Sequence, residues 1–199
     1  MKELFKKTLR GIVKGAIYLY CKIIYRVKII GKENIPEEGP LIFCANHRSL
    51  IDPPLIACTA GKHVRFLAKE ELYKSAFLRL LGFAFEAIKV HRDSKDLEAI
   101  KTSLKTLKSG KSIALFPEGT RNGMEKGEKV KDGAAFFALN SDAKVIPVGI
   151  HGGEKPFKRI YIKYGKPLDF SEYKANKKDK ETLDKVTEEI MNNIIMLTK

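Results

Sequence analysis

Three cysteines give this chain little from which to build a metal centre. Cys21, Cys44 and Cys58 are odd in number and show no paired metal-site spacing. That excludes a zinc module and leaves reduced, structural thiols of a cytosol-facing protein. No acidic cluster asks for a divalent cation, so no metal is expected. Long uncharged runs are missing as well. The longest near the start, Gly15 to Cys21, falls far short of the ~20 apolar residues that span a bilayer. It also lacks the uninterrupted core and cleavage site of a signal peptide. There is no internal repeat or low-complexity stretch. At 199 residues and 44% hydrophobic, the chain suits one domain with a sizeable core.

Positive charge is abundant. A formal net charge of +14 attracts nucleic acid, acidic lipid and anionic cofactors alike. No zinc finger, basic zipper or RNA-recognition signature is present, so no nucleic-acid partner is expected. The aromatics sit in apolar stretches and read as core. An anionic membrane surface is the simplest specific partner. At the N-terminus, Leu4, Phe5, Leu9, Ile12, Val13, Ala16, Ile17, Tyr20, Ile23 and Ile24 recur at helical spacing among Lys6, Lys7, Arg10, Lys14, Lys22 and Arg26. A basic amphipathic helix of this kind lies in a membrane interface. It can equally pack its apolar stripe on its own domain, and both hold if only part of the stripe is buried.

The rest alternates between strand and helix character. Strand candidates are Tyr25–Ile30, the apolar run Leu41–Ala45, Val64–Ala68, Glu86–Val90, Ile113–Phe116, Val145–Ile150 and Ile160–Tyr164. Leu97, Ile100, Leu104 and Leu107 step as a helix, capped by Asp93 or Ser94 and ended by Gly110. Leu183, Val186, Ile190, Ile194 and Leu197 mark another. The expected fold is α/β, a central mixed sheet flanked by helices with an N-terminal amphipathic membrane-associating helix. Residues 1–25 form that segment and 26–199 the remaining domain.

Two segments carry chemistry. Asn46-His47-Arg48-Ser49-Leu50-Ile51-Asp52 places an imidazole and a carboxylate five positions apart after an apolar run. On a regular helix that spacing separates them by roughly 140°, so a turn followed by a helix start is the fitting arrangement. Asp52-Pro53-Pro54 suits a helix start, with Asp52 as N-cap. A folded-back turn lets Asp52 reach Nδ1–H of His47 and leaves Nε2 free as a base. The plainer alternative is a cap and a polar turn residue. In Phe116-Pro117-Glu118-Gly119-Thr120-Arg121, Arg121 offers phosphate a bidentate fork. Gly119 lets the backbone turn and expose its N–H groups. Glu118 orients Arg121, contacts a substrate hydroxyl, or forms a structural ion pair. Lys131 alone reads as a solvated lysine, and Arg48 and Arg92 as electrostatic helpers or exposed side chains. Both loops follow strands and can meet at one sheet edge.

The first segment resembles the His-x4-Asp motif of the glycerolipid acyltransferases, the lysophosphatidic acid acyltransferase family. Further blocks follow in order: Lys69-Glu70-Glu71-Leu72 with Gly82 and Arg92, then Phe116–Arg121 with Lys131 and Gly133, then Val145–Ile150. The resemblance covers roughly residues 31–170. It implies acyl transfer from acyl-CoA or acyl-carrier protein, as co-substrate, to the hydroxyl of a 1-acyl-glycerol 3-phosphate, with no cofactor because the thioester is already activated. His47 is then the general base and Asp52 its orienter; Arg121 and Lys69 hold phosphate, Lys131 assists, and Glu118 and Gly119 support substrate binding. The implied location is the cytoplasmic face of the cell membrane, peripheral or monotopic. Alternatives are glycerol 3-phosphate or another lysolipid as acceptor, or a silent lipid-binding module, against which the intact His47–Asp52 pair speaks.

Other motifs are discounted. Ser109-Gly110-Lys111-Ser112 lacks the upstream Gly of a P-loop and leads into a strand. His151-Gly152-Gly153 has no accompanying Gly-x-Ser-x-Gly elbow. Ser49 is no nucleophile where the substrate hydroxyl attacks. His63 and His91 have no partner pattern.

Overall fold

The computed structural model describes residues 2–91, 96–123, 125–153 and 155–199. Its strands are β1 (Lys28–Ile30), β2 (Leu41–Ala45), β3 (Val64–Lys69), β4 (Ile88–Val90), β5 (Ser112–Leu115), β6 (Lys144–Gly152) and β7 (Ile160–Tyr164). Its helices are α1 (Lys2–Ile24), α2 (Asp52–Thr59), α3 (Ala76–Ala84), α4 (Leu97–Lys108), α5 (Gly133–Leu139) and α6 (Lys180–Thr198). The strands form one seven-stranded sheet in the order β1-β7-β6-β2-β5-β3-β4. Every neighbouring pair is parallel except β6–β7. The result is the expected mixed α/β architecture.

Burial explains the order. All five residues of β2 are buried, as a central strand covered on both faces requires. Leu41, Phe43 and Ala45 face a core shared with Leu55 and Ile56 of α2, Ala84 of α3 and Cys21 of α1. Ile42 and Cys44 face a second core with Leu107 of α4, Ala135 of α5 and Ile190 of α6. Each fully buried Ile or Leu contributes about 1.5–3 kcal/mol. Strands β6, β2, β5 and β3 run the same way, so the loops leaving them gather at one edge.

Two strands are shorter than their sequences suggest. Arg26 (φ 45°) and Glu86 (φ 53°) adopt left-handed backbone, which breaks the extended run before Lys28 and Ile88. The capping bond of α4 comes from Asp96, whose carboxylate accepts the Ala99 N–H at 2.9 Å. Asp93 and Ser94, like Arg92, lie outside the described residues. Gly110 (φ 76°) follows that helix as expected.

Helix α1 is divided along its length. Leu9, Val13 and Ile17 pack on the domain and Cys21 is buried within it. Arg10 donates from Nε to the Ala84 carbonyl and from Nη2 to Glu86, both at 2.9 Å. On the other side Phe5, Ile12, Leu19 and Ile23 are exposed. No helix among the described residues is long and apolar enough to cross a membrane.

Candidate active site

His47 lies two residues past the end of β2, and Asp52 is the first residue of α2. The turn between them closes on the carboxylate. Oδ2 of Asp52 accepts the backbone N–H groups of Arg48 and Ser49, each at 2.6 Å, and lies 3.0 Å from Nδ1 of His47. Asp52 is only 1% exposed. The N-cap position belongs to Ile51, and no side chain caps α2, so the expected capping role of Asp52 is not what the helix uses. Pro54 has no N–H for a capping carboxylate to bind, and the Leu55 N–H already donates to the Ile51 carbonyl at 2.9 Å. The carboxylate turns back to the loop instead. A carboxylate at Nδ1 holds the proton there and leaves Nε2 as the basic nitrogen.

The second motif clamps the first. The His47 N–H donates to Oε1 of Glu118 at 2.8 Å, and the His47 carbonyl accepts the Asn122 N–H at 2.6 Å. Glu118 is 3% exposed; its observed work is to hold the His47 backbone. The Phe116 ring stacks on the imidazole, with centroids 4.2 Å apart. Gly119 has φ 71°, and a Cβ there would lie 2.7 Å from Cε of Lys131. The Lys131 side chain therefore crosses the turn, anchored by its N–H to the Pro117 carbonyl at 2.9 Å. Arg121 is exposed on the same turn, and Lys69 ends β3, next to β5. Thus His47, Asp52, Glu118, Gly119 and Lys131 are in direct contact or one step removed, while Arg121 and Lys69 share the edge by position.

Sequence reasoning missed the supporting roles of Asn46 and Phe116, and read Arg48 only as an electrostatic helper or exposed side chain. Buried Asn46 bonds Ile150 twice, donating to its carbonyl at 2.9 Å and accepting its N–H at 2.8 Å. Phe116 supplies the stacking face. Arg48 donates from Nη1 to the Gly152 carbonyl at 3.0 Å. The position of Asn46, directly after a fully apolar strand, was the available signal. His151, on β6, stacks on Tyr161 with centroids 4.7 Å apart. Burial, aided by Lys163 and Arg48, lowers its pKa and so favours the neutral ring. Ser109–Ser112 leads into β5 at the opposite edge, where the Ser112 hydroxyl accepts the Leu41 N–H. Among the described residues, no three His, Cys, Asp or Glu side chains converge as a metal site.

This edge therefore holds an imidazole with a carboxylate at Nδ1, with Arg121, Lys69 and Lys131 on the neighbouring loops and strand end. The 1-acyl-sn-glycerol-3-phosphate acyltransferase of Bacillus subtilis (strain 168) is 28% identical over 84% of this chain and 86% of its own length. The enzyme of that name from Borreliella burgdorferi is 30% identical over 72% of this chain, a stretch that spans 57% of that relative. The crystal structure of the 1-acyl-sn-glycerophosphate acyltransferase PlsC from Thermotoga maritima superposes with a TM-score of 0.72 at 25% identity, covering 99% of this chain and 83% of that one. The family model described as Acyltransferase matches residues 26–151, both motif loops included, and the chain belongs to that family.

Proposed function

We propose that this acyltransferase moves a fatty acyl group from a thioester donor, acyl-CoA or acyl-carrier protein, to the free hydroxyl of 1-acyl-glycerol 3-phosphate, giving phosphatidic acid for phospholipid biosynthesis. The observation that carries the reading is the 3.0 Å contact between Nδ1 of His47 and Asp52, in a turn pinned to the Glu118–Arg121 loop. Nε2 of His47 removes the hydroxyl proton as the oxygen attacks the thioester carbonyl. The tetrahedral adduct expels thiolate, which takes the proton from the imidazolium, and free thiol leaves. General-base help of this kind is worth about a hundred- to ten-thousand-fold in rate. Asp52 holds the ring and steadies its positive charge. Arg121, Lys69 and Lys131 hold the acceptor phosphate and convert an encounter into a positioned reaction.

The lipid acceptor calls for work at a bilayer surface, at the cytoplasmic face of the membrane as a peripheral or monotopic protein. The exposed residues Phe5, Ile12, Leu19 and Ile23 of α1 are the proposed contact. Phe77, Leu80 and Phe83 of α3 are exposed too, and Lys6 Nζ sits 5.4 Å from the Phe83 ring centroid, so the helices offer adjoining apolar surfaces. Basic residues beside them favour anionic lipid. The test is thiol release from an acyl donor against a panel of lysolipids and glycerol 3-phosphate. Preference for glycerol 3-phosphate over 1-acyl-glycerol 3-phosphate would overturn the acceptor assignment.

A further inference from the structure

We propose that the tip of the β6–β7 hairpin, Lys155, Phe157, Lys158 and Arg159, binds the phosphate-bearing anionic head of the thioester donor; this rests on the acyl-transfer reading above. Strand order carries the inference. Along the active edge the sequence of strands is β6, β2, β5, β3, so His47 after β2 lies between two flanks. The cations assigned to the acceptor phosphate, Arg121, Lys131 and Lys69, all belong to the β5–β3 flank. Both substrates are anionic, and like charges repel. The donor head therefore needs its own cations on the other flank, where β6 turns into β7.

That flank carries three exposed cations on a tip tied to the end of α1. Lys155, Lys158 and Arg159 are exposed. The Phe157 N–H donates to the Ile24 carbonyl at 2.7 Å, and the Ile160 N–H to the Tyr25 carbonyl at 2.9 Å. Gly152 has φ 75°, and a Cβ there would sit 2.4 Å from the Arg159 carbonyl oxygen. The hairpin closes too tightly for any side chain. Arg48, next to His47, bonds the Gly152 carbonyl at 3.0 Å and ties the tip to the catalytic turn. Phe157 is 69% exposed in left-handed backbone with φ 66°. An exposed aromatic in strained backbone costs stability without any return from packing. An aromatic face between cations suits a nucleobase with attached phosphates, since bases stack on rings and Lys and Arg clamp phosphate. Coenzyme A has that head; an acidic carrier protein presents equivalent negative charge.

The test is the triple variant Lys155→Glu/Lys158→Glu/Arg159→Glu, assayed with acyl-CoA and with an S-acyl N-acetylcysteamine, which lacks phosphates and adenine. The ratio of kcat/KM for acyl-CoA to that for the truncated donor should fall about tenfold or more. The milder Lys155→Gln/Lys158→Gln variant should move it the same way if the triple variant folds poorly. Acyl-carrier protein assayed in parallel identifies the source of the negative charge, and loss with either full donor supports the proposal. Phe157→Ala should weaken acyl-CoA use and spare acyl-carrier protein. An unchanged ratio to the truncated donor for both acyl-CoA and acyl-carrier protein in a folded variant overturns the proposal; if the truncated donor then loses as much as the full donors and binding of anionic vesicles weakens, the tip is a membrane contact. Calorimetric titration with CoA keeps the two readings apart: a wild-type protein that binds CoA through the tip yet transfers no acyl group would sink the acyl-transfer reading alone.

Discussion

The backbone N–H of His47 donates to the buried carboxylate of Glu118 at 2.8 Å, joining the turn after β2 to the turn after β5. His47 and the loop that carries Arg121 are thereby held as one unit, and in the proposed mechanism Glu118 acts as a positioning residue. Glu118→Ala should lower kcat more than it alters the acceptor KM, and should cost about 1–3 kcal/mol of stability through the lost acceptor. Glu118→Gln keeps an oxygen for the His47 N–H and should recover most of the rate. Steady-state kinetics with a urea titration check both.

Arg121→Ala should raise the acceptor KM and lower kcat, because the energy that anchors the phosphate also positions the hydroxyl. Arg121→Lys should rescue only partly, since a point charge does not reproduce a bidentate fork. A defect confined to the donor KM would move Arg121 to the donor phosphates.

Helix α1 separates docking from membrane binding. Replacing Phe5, Ile12, Leu19 and Ile23 by Ser should weaken binding to anionic vesicles and leave Tm nearly unchanged, because these side chains are exposed. Salt should weaken vesicle binding of the wild type without abolishing it. Deleting α1 is a poorer test, since Cys21 and its neighbours belong to the core. Burial raises the Cys21 pKa to about 11, so roughly one thiol in a thousand is thiolate at pH 8. Alkylation of Cys21 should be slow while α1 stays docked; fast alkylation in the native protein would contradict the docking.

His63 should make the protein acid-sensitive. Burial, with Arg10 beside it, pushes its pKa down to about 4 against the pull of Glu86. The unfolded chain takes up this proton near pH 6.5. Between those values the unfolded state binds more protons, so stability rises with pH and is lost as pH falls from about 6.5 towards 4. His63→Gln should flatten that part of the profile. Urea midpoints measured at pH 7 and pH 5 on both proteins decide it; parallel profiles would remove His63 from the account.

The legible parts of this fold were those where one periodicity dominated. Ile160–Tyr164 and Leu97–Lys108 fold as their patterns indicate. The helices α3 and α5 were not legible, because nine and seven largely apolar residues do not separate helix from strand by periodicity. Strand ends at Arg26 and Glu86 were hidden by left-handed backbone at residues that seldom adopt it. At the site, the His47–Asp52 contact was legible from spacing and the Pro-Pro step. The roles of Glu118 and Asn46 were not, since both act through partners more than seventy positions away that only the sheet brings close.

The most direct measurement is phosphatidic acid formation from 1-acyl-glycerol 3-phosphate and an acyl thioester, followed by mass spectrometry, for the wild type, His47→Ala and Asp52→Asn. With both variants folded by circular dichroism, His47→Ala should lose at least about a hundredfold in kcat, the range of general-base help. Asp52→Asn should fall strongly as well, through loss of the imidazole orientation. Near-wild-type turnover by His47→Ala would contradict the assignment of His47 as the base and direct attention to His151.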